Sequence, residues 1–551
     1  MNEITIKIAD KSISCRSGTK AGDLTEHFGI PRDQIAAVRE NNEIRPLGTS
    51  LLVNAALEPV LLDSPEGVMI YRRTLSFVLA IAARNIFPEE GVYVGHSLGN
   101  SYYYTLSSGE KCEEEKVEKL RAEMQKLVKD DLPITFKYVA YEEAVDFFKE
   151  HKQKDTALLL EQRSTSYIKV NECQGYTDIF VQPLLDRTGL LTSFALTHYQ
   201  DGFLLLFPEI GCCTEIDPFK DEPKLFQIYS DYKKWGRIVG VRVVGELNSM
   251  ISSRTVHEYI RIAEAHQAHK MAAIAAQIYE RRDDIKMILL AGPSSSGKTT
   301  SAKRLAIELM VLGINPIAIS LDDYYLGTDK TPKDEKGEPD YECLEALDVP
   351  YLNEQLQALY RGEEISLQVY DFKTGSRKNT GGKKARLDKQ NVLIVEGIHA
   401  LNDALTHSID RNTKFKIYVS ALTQLNLDDH NRIPTSDNRL LRRMVRDSQF
   451  RGADALRTFK FWPKVQAGER KHIFPFQNTA DAVFNSALDY ELSVLKYYAD
   501  PLLKAVKPSM YEYAEAVRLL SFLENFTPIP PQYVPGTSIL REFIGGSEFK
   551  Y

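Results

Sequence analysis

The sequence predicts a multidomain α/β chain, and three observations carry that reading. Its 551 residues exceed what one hydrophobic core organises, at a soft prior of one domain per ~150 residues. Near the middle, the apolar run Met287–Ala291 passes into Gly292-Pro293-Ser294-Ser295-Ser296-Gly297-Lys298-Thr299, and a helical pattern follows over 301–312. That is the strand, loop and helix of a phosphate-binding loop. Upstream, Ile4, Ile6 and Ile8 alternate with polar residues and 113–129 is a charged amphipathic helix pattern, so the first half is β-rich and then mixed α+β.

The composition, 43% hydrophobic and 26% charged, is that of a soluble globular protein and excludes a disordered or fibrous chain. A net charge of −7 argues against a broad nucleic-acid-binding surface while leaving a local basic patch open. The six cysteines (Cys15, Cys112, Cys173, Cys212, Cys213, Cys343) form no C-x-x-C pair, which suits a reducing compartment and neither a disulfide framework nor a zinc ribbon. The start lacks the layout of a signal peptide, and apolar stretches such as 75–83 are too short to span a bilayer. The expectation is a cytoplasmic protein with no membrane partner.

Residues 1–62 read as a small β-rich module: a hairpin, a Ser17-Gly18-Thr19 turn, a short helix over 21–27 and a closing strand near 50–53. This order resembles the TGS domain, a β-grasp module at the front of threonyl-tRNA synthetases. Residues 63–250 continue with a helix over 72–87 ending at Pro88, strands at 93–96 and 101–105, and the amphipathic helix over 113–129. They resemble the second additional domain of those synthetases, which edits mischarged tRNA through H-x-x-x-H on a helix and C-x-x-x-H in a turn. Matching the helix by its Phe87-Pro88 end puts Phe77 and Ile81 at the two histidine positions. The turn Cys173-Gln174-Gly175-Tyr176-Thr177 keeps the Cys and has Thr for the last His. Phe and Ile offer no lone pair to a metal or a water. The resemblance therefore implies the fold without the editing chemistry, with residual RNA or tRNA contact left open.

Two clusters carry less. Cys212 and Cys213 are adjacent, which suits packed small side chains better than one metal. His266 and His269 share a face of a long helix predicted over 253–282 but lack a third ligand. That helix, within 251–282, is read as a connector to the second half.

From 283 to 515 the pattern is a parallel sheet around the phosphate loop. Gly292 and Gly297 allow the tight turn that points Pro293, Ser294, Ser295, Ser296 and the helix N-terminus at one anion; Lys298 adds charge, and Thr299 a hydroxyl for Mg²⁺. A second strand, Asn315–Ser320, ends in Leu321-Asp322-Asp323-Tyr324-Tyr325, and a third over 391–395 ends in Glu396. Ligands in such sheets sit beyond the carboxyl ends of the strands, so both acids face the same loop.

The ordered set GPSSSGKTT, LDDYY, VYDF-x-x-x-SRK, VEGIHAL and LLRRMVRD-x-x-x-RG resembles the uridine kinase and phosphoribulokinase branch of P-loop kinases over some 230 residues. The resemblance implies that Asp322 takes or orients the proton of the acceptor hydroxyl, with Mg²⁺ coordination as its alternative. It implies that Glu396 and Thr299 hold Mg²⁺, that Lys298 and the 292–300 loop including Thr300 bind the nucleotide, and that Arg443, Arg446 and Arg451 come from a lid. Tyr325, Glu342, Tyr370 and Arg443 are then acceptor contacts. Arg443 and Arg446, three apart, share one helix face, and Arg442 reads equally well as a surface salt-bridge residue. The departures fall on base recognition, where the readers are replaced by Gly375, Ala453 and Phe461. A site without polar readers no longer rewards the matching base edge.

The basic run 373–386 reads as a solvated hairpin, since no aromatics interleave its charges. The tail 516–551, broken by prolines, reads as packing or a homo-oligomer contact. The expected function is Mg²⁺-dependent transfer of the γ-phosphate of ATP or GTP to the 5′-hydroxyl of a nucleoside, uridine or cytidine first. The alternatives are a kinase of another polyol or sugar phosphate, or a tRNA- or ribosome-associated nucleotide switch.

Overall fold

The computed structural model describes residues 3–211, 215–327, 329–334, 337–371, 376–377 and 382–550. It divides into two compact units, each contributed by three segments. Residues 1–254, 424–433 and 500–528 form the first; 255–423, 434–499 and 529–551 form the second.

The first unit opens with β1 (Glu3–Ile8), β2 (Lys11–Arg16), β3 (Ile35–Glu40), β4 (Glu43–Arg45) and β5 (Ala55–Leu61), in the order β2-β1-β5-β3-β4. Strict alternation in β1 buries Ile4, Ile6 and Ile8 on one face, as a half-covered strand requires. Helix α1 (Pro65–Ile86) follows, with Ser64 Oγ accepting from Gly67 N–H at 3.1 Å as its N-cap. Position 67 must be glycine, because a Cβ there would lie 1.8 Å from the Leu61 carbonyl oxygen. α1 is apolar nearly all round and is the core of this module. β6 (Val92–Ser97), β7 (Ser101–Leu106), α2 (Glu114–Lys129), β8 (Thr135–Ala140), α3 (Tyr141–Glu150), α4 (Lys154–Glu161), β9 (Tyr167–Cys173), β10 (Tyr176–Asp178), β11 (Ala195–Tyr199) and β12 (Gly202–Leu206) complete two antiparallel sheets, β11-β12-β7-β6 and β10-β9-β8. Helices α5 (Pro223–Val239) and α6 (Val244–Ser252) close the segment.

Phe77, Ile81 and Cys173 all lie in the core of this module. Phe77 packs its ring 5.7 Å from Tyr176 and 5.7 Å from Phe180. The segment 424–433 is laid against the same module: Val94 N–H donates to Asp429 O, Asn426 to Val94 O and Asn431 to Ile179 O. His430 Nδ1 sits 2.7 Å from Asp178 Oδ2, with both side chains buried.

The second unit begins with α7 (Val256–Glu280) and is built on β13 (Met287–Ala291), β14 (Asn315–Ser320), β19 (Asn391–Glu396), β20 (Lys414–Ser420) and β21 (Ala482–Asn485), numbered after the two-residue strands β15 (Ile365–Ser366), β16 (Tyr370–Asp371), β17 (Ser376–Arg377) and β18 (Lys384–Ala385). The sheet is wholly parallel, in the order β14-β19-β13-β20-β21. Every residue of β13 and β20 is buried, the run expected of central strands covered on both faces. Helices α8 (Lys298–Val311), α9 (Val349–Tyr360), α10 (Thr435–Phe450) and α11 (Ala455–His472) surround it, followed by α12 (Glu491–Lys504), by α13 (Tyr513–Leu523) of the first unit, and by a short α14 (Arg541–Ile544). Among the described residues no helix is long and apolar enough to cross a membrane.

Candidate active site

The loop between β13 and α8 is shaped by sterics. A Cβ on Gly292 would lie 1.9 Å from the Val419 carbonyl oxygen on the neighbouring strand, and Gly297 turns the chain at φ +80°. Ser295 adopts φ +58°, a conformation that a non-glycine residue holds only where its surroundings enforce it. They do so through arginines of α10: Arg439 Nε donates to Ser294 O at 2.9 Å, Arg442 Nη1 to Ser295 O at 3.4 Å, and Arg443 Nη1 to Ser294 Oγ at 2.8 Å. Ser486 Oγ donates to Ser296 O, and Lys298 Nζ rests 3.2 Å from Pro293 O. The N–H groups of Gly297, Lys298 and Thr299 make no hydrogen bond among the described residues, so the start of α8 presents an open anion cradle.

Two carboxylates stand at the strand ends beside this cradle. Glu396 Oε1 accepts from Thr299 Oγ1 at 3.3 Å and from Ser320 Oγ at 3.1 Å. Its enclosed position, and then the nearby charge of Asp322, push its carboxyl up to about 7. The adjacent aspartates have separate fates. Asp323 Oδ1 accepts the Tyr370 N–H at 3.0 Å and ties β16, which pairs with β17, to the turn after β14, whereas Asp322 is exposed and its side chain has no hydrogen-bond partner among the described residues.

The three arginines singled out in the sequence converge on one acid, Asp447. Arg446 reaches it at 2.8 Å, Arg443 at 3.4 Å and Arg451 at 3.6 Å. Arg442 differs from its surface reading: it is fully buried, donates from Nε to Glu491 Oε2 at 3.1 Å, and anchors α10 to the loop. On the other side, Tyr325 meets Tyr341 edge to face at 6.0 Å between ring centroids and lies tilted 6.2 Å from Tyr370, and its hydroxyl donates to Tyr341 O at 3.1 Å. Glu342 is raised to about 7 by burial and by Glu469, against the opposing pull of Arg443 and Lys298. The structure thus brings together the predicted residues of the loop, both strand-end acids, the arginines and the Tyr325, Glu342 and Tyr370 cluster.

Residues 287–493 match the family described as Phosphoribulokinase / Uridine kinase. This part of the chain is a kinase domain of that family. The N-terminal region is similar to threonine–tRNA ligases, at 33% identity over 151 residues with that of Paraburkholderia xenovorans (27% of this chain, 24% of the relative) and 29% over 207 residues with that of Aquifex aeolicus (37% and 32%). The chain spans about a quarter to a third of the length of those ligases. A solved structure described as a possible uridine kinase from Bacillus stearothermophilus is similar at 20% identity and a TM-score of 0.25, covering 36% of this chain and 89% of that one.

Within the kinase domain, the Thr299 hydroxyl and the carboxylates of Glu396 and Asp322 are hard oxygen donors. The crowding that raises Glu396 is what a divalent cation relieves. Such a set fits Mg²⁺, which takes one or two carboxylates and completes its shell with water and phosphate oxygens. Among the described residues no group of three or more His, Cys, Asp or Glu side chains is arranged to hold a metal by itself. A cavity of about 580 Å³ opens beside the arginines, lined by Tyr341, Glu342, Arg443, Arg451, Ala453 and Phe461 among others. Two of the three positions predicted to have lost base readers, Ala453 and Phe461, therefore face it. The third, Gly375, lies outside the described residues, as do Cys212, Cys213 and residues 373–374 and 378–381 of the basic run.

Sequence reasoning missed the residues that hold the site in place. Glu469 accepts from Ser294 N–H at 2.9 Å and pairs with Arg439; Glu491 pairs with Arg442; Asp447 gathers Arg443, Arg446 and Arg451. Only Asp447, within LLRRMVRD, carried a local signal, since it lies four from Arg443 and Arg451.

Proposed function

We propose that this chain is a Mg²⁺-dependent nucleoside kinase that transfers the γ-phosphate of ATP or GTP to the 5′-hydroxyl of a ribonucleoside, with uridine and cytidine the first acceptors to test. The observation that carries the reading is the pairing of an unengaged Asp322 with the Glu396 and Thr299 pair at the mouth of an open phosphate cradle. Phosphoryl transfer asks for positioning and charge neutralisation. In this reading the 292–300 loop and Lys298 bind the phosphates, Arg443, Arg446 and Arg451 spread over the transferred group, and Asp322 accepts the proton of the attacking hydroxyl. Mg²⁺, held by Thr299 and Glu396, supplies electrostatic stabilisation of the phosphates when bound. Tyr325, Glu342 and Tyr370 position the acceptor.

A second acceptor class, another small polyol or sugar phosphate, is favoured by one feature: Ala453 and Phe461 give the cavity no polar base reader at those positions. The N-terminal half is proposed to be a TGS-like module followed by a synthetase-like module whose remaining role is RNA contact.

The test is nucleotide turnover by the purified full chain with Mg·ATP or Mg·GTP, alone and with a panel of nucleosides, polyols and sugar phosphates, beside Lys298→Ala. Acceptor-dependent ADP or GDP with a phosphorylated product, lost in Lys298→Ala, is the expected result. Hydrolysis or tight nucleotide binding that no acceptor accelerates would replace the kinase reading with the switch.

Glu342 adds a pH prediction. Its ionised form accepts hydrogen bonds from acceptor hydroxyls, and it titrates near 7. The acceptor KM should therefore rise about 10-fold between pH 8 and pH 6, as the ionised fraction falls. The sign for folding is opposite: a raised carboxyl contributes stability below its ordinary value of 4.5 that is lost as pH rises through about 7. Glu342→Gln should flatten the KM profile; a profile that keeps its slope would remove Glu342 from acceptor binding.

A further inference from the structure

The C-terminal segment 529–551 belongs to the same unit as the phosphate loop and reaches into it. Glu542 Oε2 accepts from the Thr300 backbone N–H at 3.1 Å and from Thr300 Oγ1 at 2.6 Å. Thr300 is fully buried and stands in the first turn of α8, where the chain's other open N–H groups face the cradle. The backbone around Glu542 is firmly placed. Arg541 donates to Pro531 O at 3.0 Å, to Val534 O at 2.6 Å and to Gly545 O at 3.2 Å; the buried Phe543 ring lies 4.9 Å from the Arg442 guanidinium. Ile539 closes over the loop, its Cγ2 2.6 Å from where a Cβ of Gly297 would stand.

A carboxylate on an N–H of this turn offers the same interaction as a phosphate oxygen: an anion at the positive end of a helix, charge-assisted and bidentate on one residue. Backbone N–H groups of such a loop and helix cradle the α- and β-phosphates of a nucleotide. We propose that Glu542 is a built-in competitor for a nucleotide phosphate at Thr300. In the nucleotide-free chain the tail occupies part of the phosphate cradle with its own anion, and nucleotide binding displaces that carboxylate. The displacement frees the Glu542 side chain and removes one of the contacts that hold 538–545 to the loop, leaving that stretch to Arg541 and Phe543. The tail thereby sets the affinity of the loop for nucleotide, and a second ligand or modification acting on 529–551 would change it. The inference rests on the reading that the loop binds nucleotide.

The experiment measures Mg·ATP and Mg·GTP affinity calorimetrically for the full chain, Glu542→Gln and Lys298→Ala, with amide hydrogen exchange of 538–545 in the wild type with and without saturating nucleotide. Displacing a charge-assisted contact predicts that Glu542→Gln binds about 10-fold more tightly than wild type, and that nucleotide speeds exchange in 538–545. Unchanged or weaker binding by Glu542→Gln, or exchange in 538–545 that is unchanged or slower on nucleotide binding, overturns the competitor while leaving the nucleotide reading intact. Should wild type and Glu542→Gln both fail to bind either nucleotide, the competitor and the nucleotide reading fall together. If Glu542→Gln does not fold, the wild-type exchange measurement alone decides.

Discussion

Asp322→Asn is expected to lower kcat by about 10² to 10⁴, the usual range for a general base, while nucleotide affinity stays close to wild type. The expectation comes from the different engagement of two neighbouring acids. Asp323 spends its carboxylate on the Tyr370 N–H, so its replacement should disturb β16 and with it the Tyr325 and Tyr370 ring pair. Asp322 is exposed and makes no side-chain hydrogen bond among the described residues, so its replacement removes little from the folded state; exposed changes of this kind usually stay within about 0.5 kcal/mol. Its charge is nonetheless felt by Glu396, Tyr325 and Arg451, which places it among the strand-end acid, the tyrosine cluster and the arginines around Asp447. A residue so placed and so unemployed structurally is available for proton transfer. Single-turnover rates with saturating Mg·nucleotide and acceptor separate this role from binding. A loss confined to KM, or a kcat within a few-fold of wild type, would assign Asp322 to acceptor or metal binding and leave the base unidentified.

The parts of this site legible in the sequence are those whose chemistry is local. Gly292, Gly297 and Lys298 announce a phosphate loop because the turn they make depends on near neighbours in the chain. Asp322 and Glu396 follow because both stand at the carboxyl ends of parallel strands, the edge strand β14 and the buried β19, and the end of a parallel strand is where a sheet of this kind exposes its ligands. What the sequence could not show is pairing across long separations. Arg442 looks like one more charge on a polar helix until Glu491, 49 residues on, is found beside it in the core. Glu469 reads as surface on a basic helix, yet it is buried and holds the Ser294 N–H. Ser295 gives no hint that it will adopt a left-handed conformation, since that strain is imposed by arginines from α10. The segment 424–433 falls within the stretch 283–515 and carries no compositional mark; only the structure groups it with Val94, Asp178 and Ile179. In the same module, Phe77 and Ile81 are legible as side chains without lone pairs, and their burial follows from the apolar run 77–83 of α1.

That segment sets the second large effect. His430→Ala is expected to destabilise the first unit by about 3 to 5 kcal/mol at pH 7, the cost of leaving a buried charge without its partner. His430 is enclosed by acids that are themselves out of water: Asp178 at 2.7 Å, with Asp428 and Asp429 preceding it in the chain. Burial alone would lower the imidazole, but Asp178, followed by Asp429 and Asp428, holds it up at about 9. Burial, then the charge of Asp178, raises Asp428 to about 6. At neutral pH the cluster therefore contains a cation that the acids require. A histidine whose folded value is raised from 6.5 to about 9 contributes stability that is fully present below 6.5 and is lost as pH rises through about 9. Asp428, raised to about 6, and Asp429, raised well above its ordinary range by burial, titrate in the same cluster, so wild type and variant are compared at each pH. Urea unfolding of wild type and His430→Ala at pH 6.5, 8 and 9.5, followed by a probe in the first unit, should show the gap between them narrowing as pH rises. A gap under about 1 kcal/mol at pH 6.5, or one that widens toward pH 9.5, would mean that the imidazole is neutral in the fold and that the acids retain their protons instead.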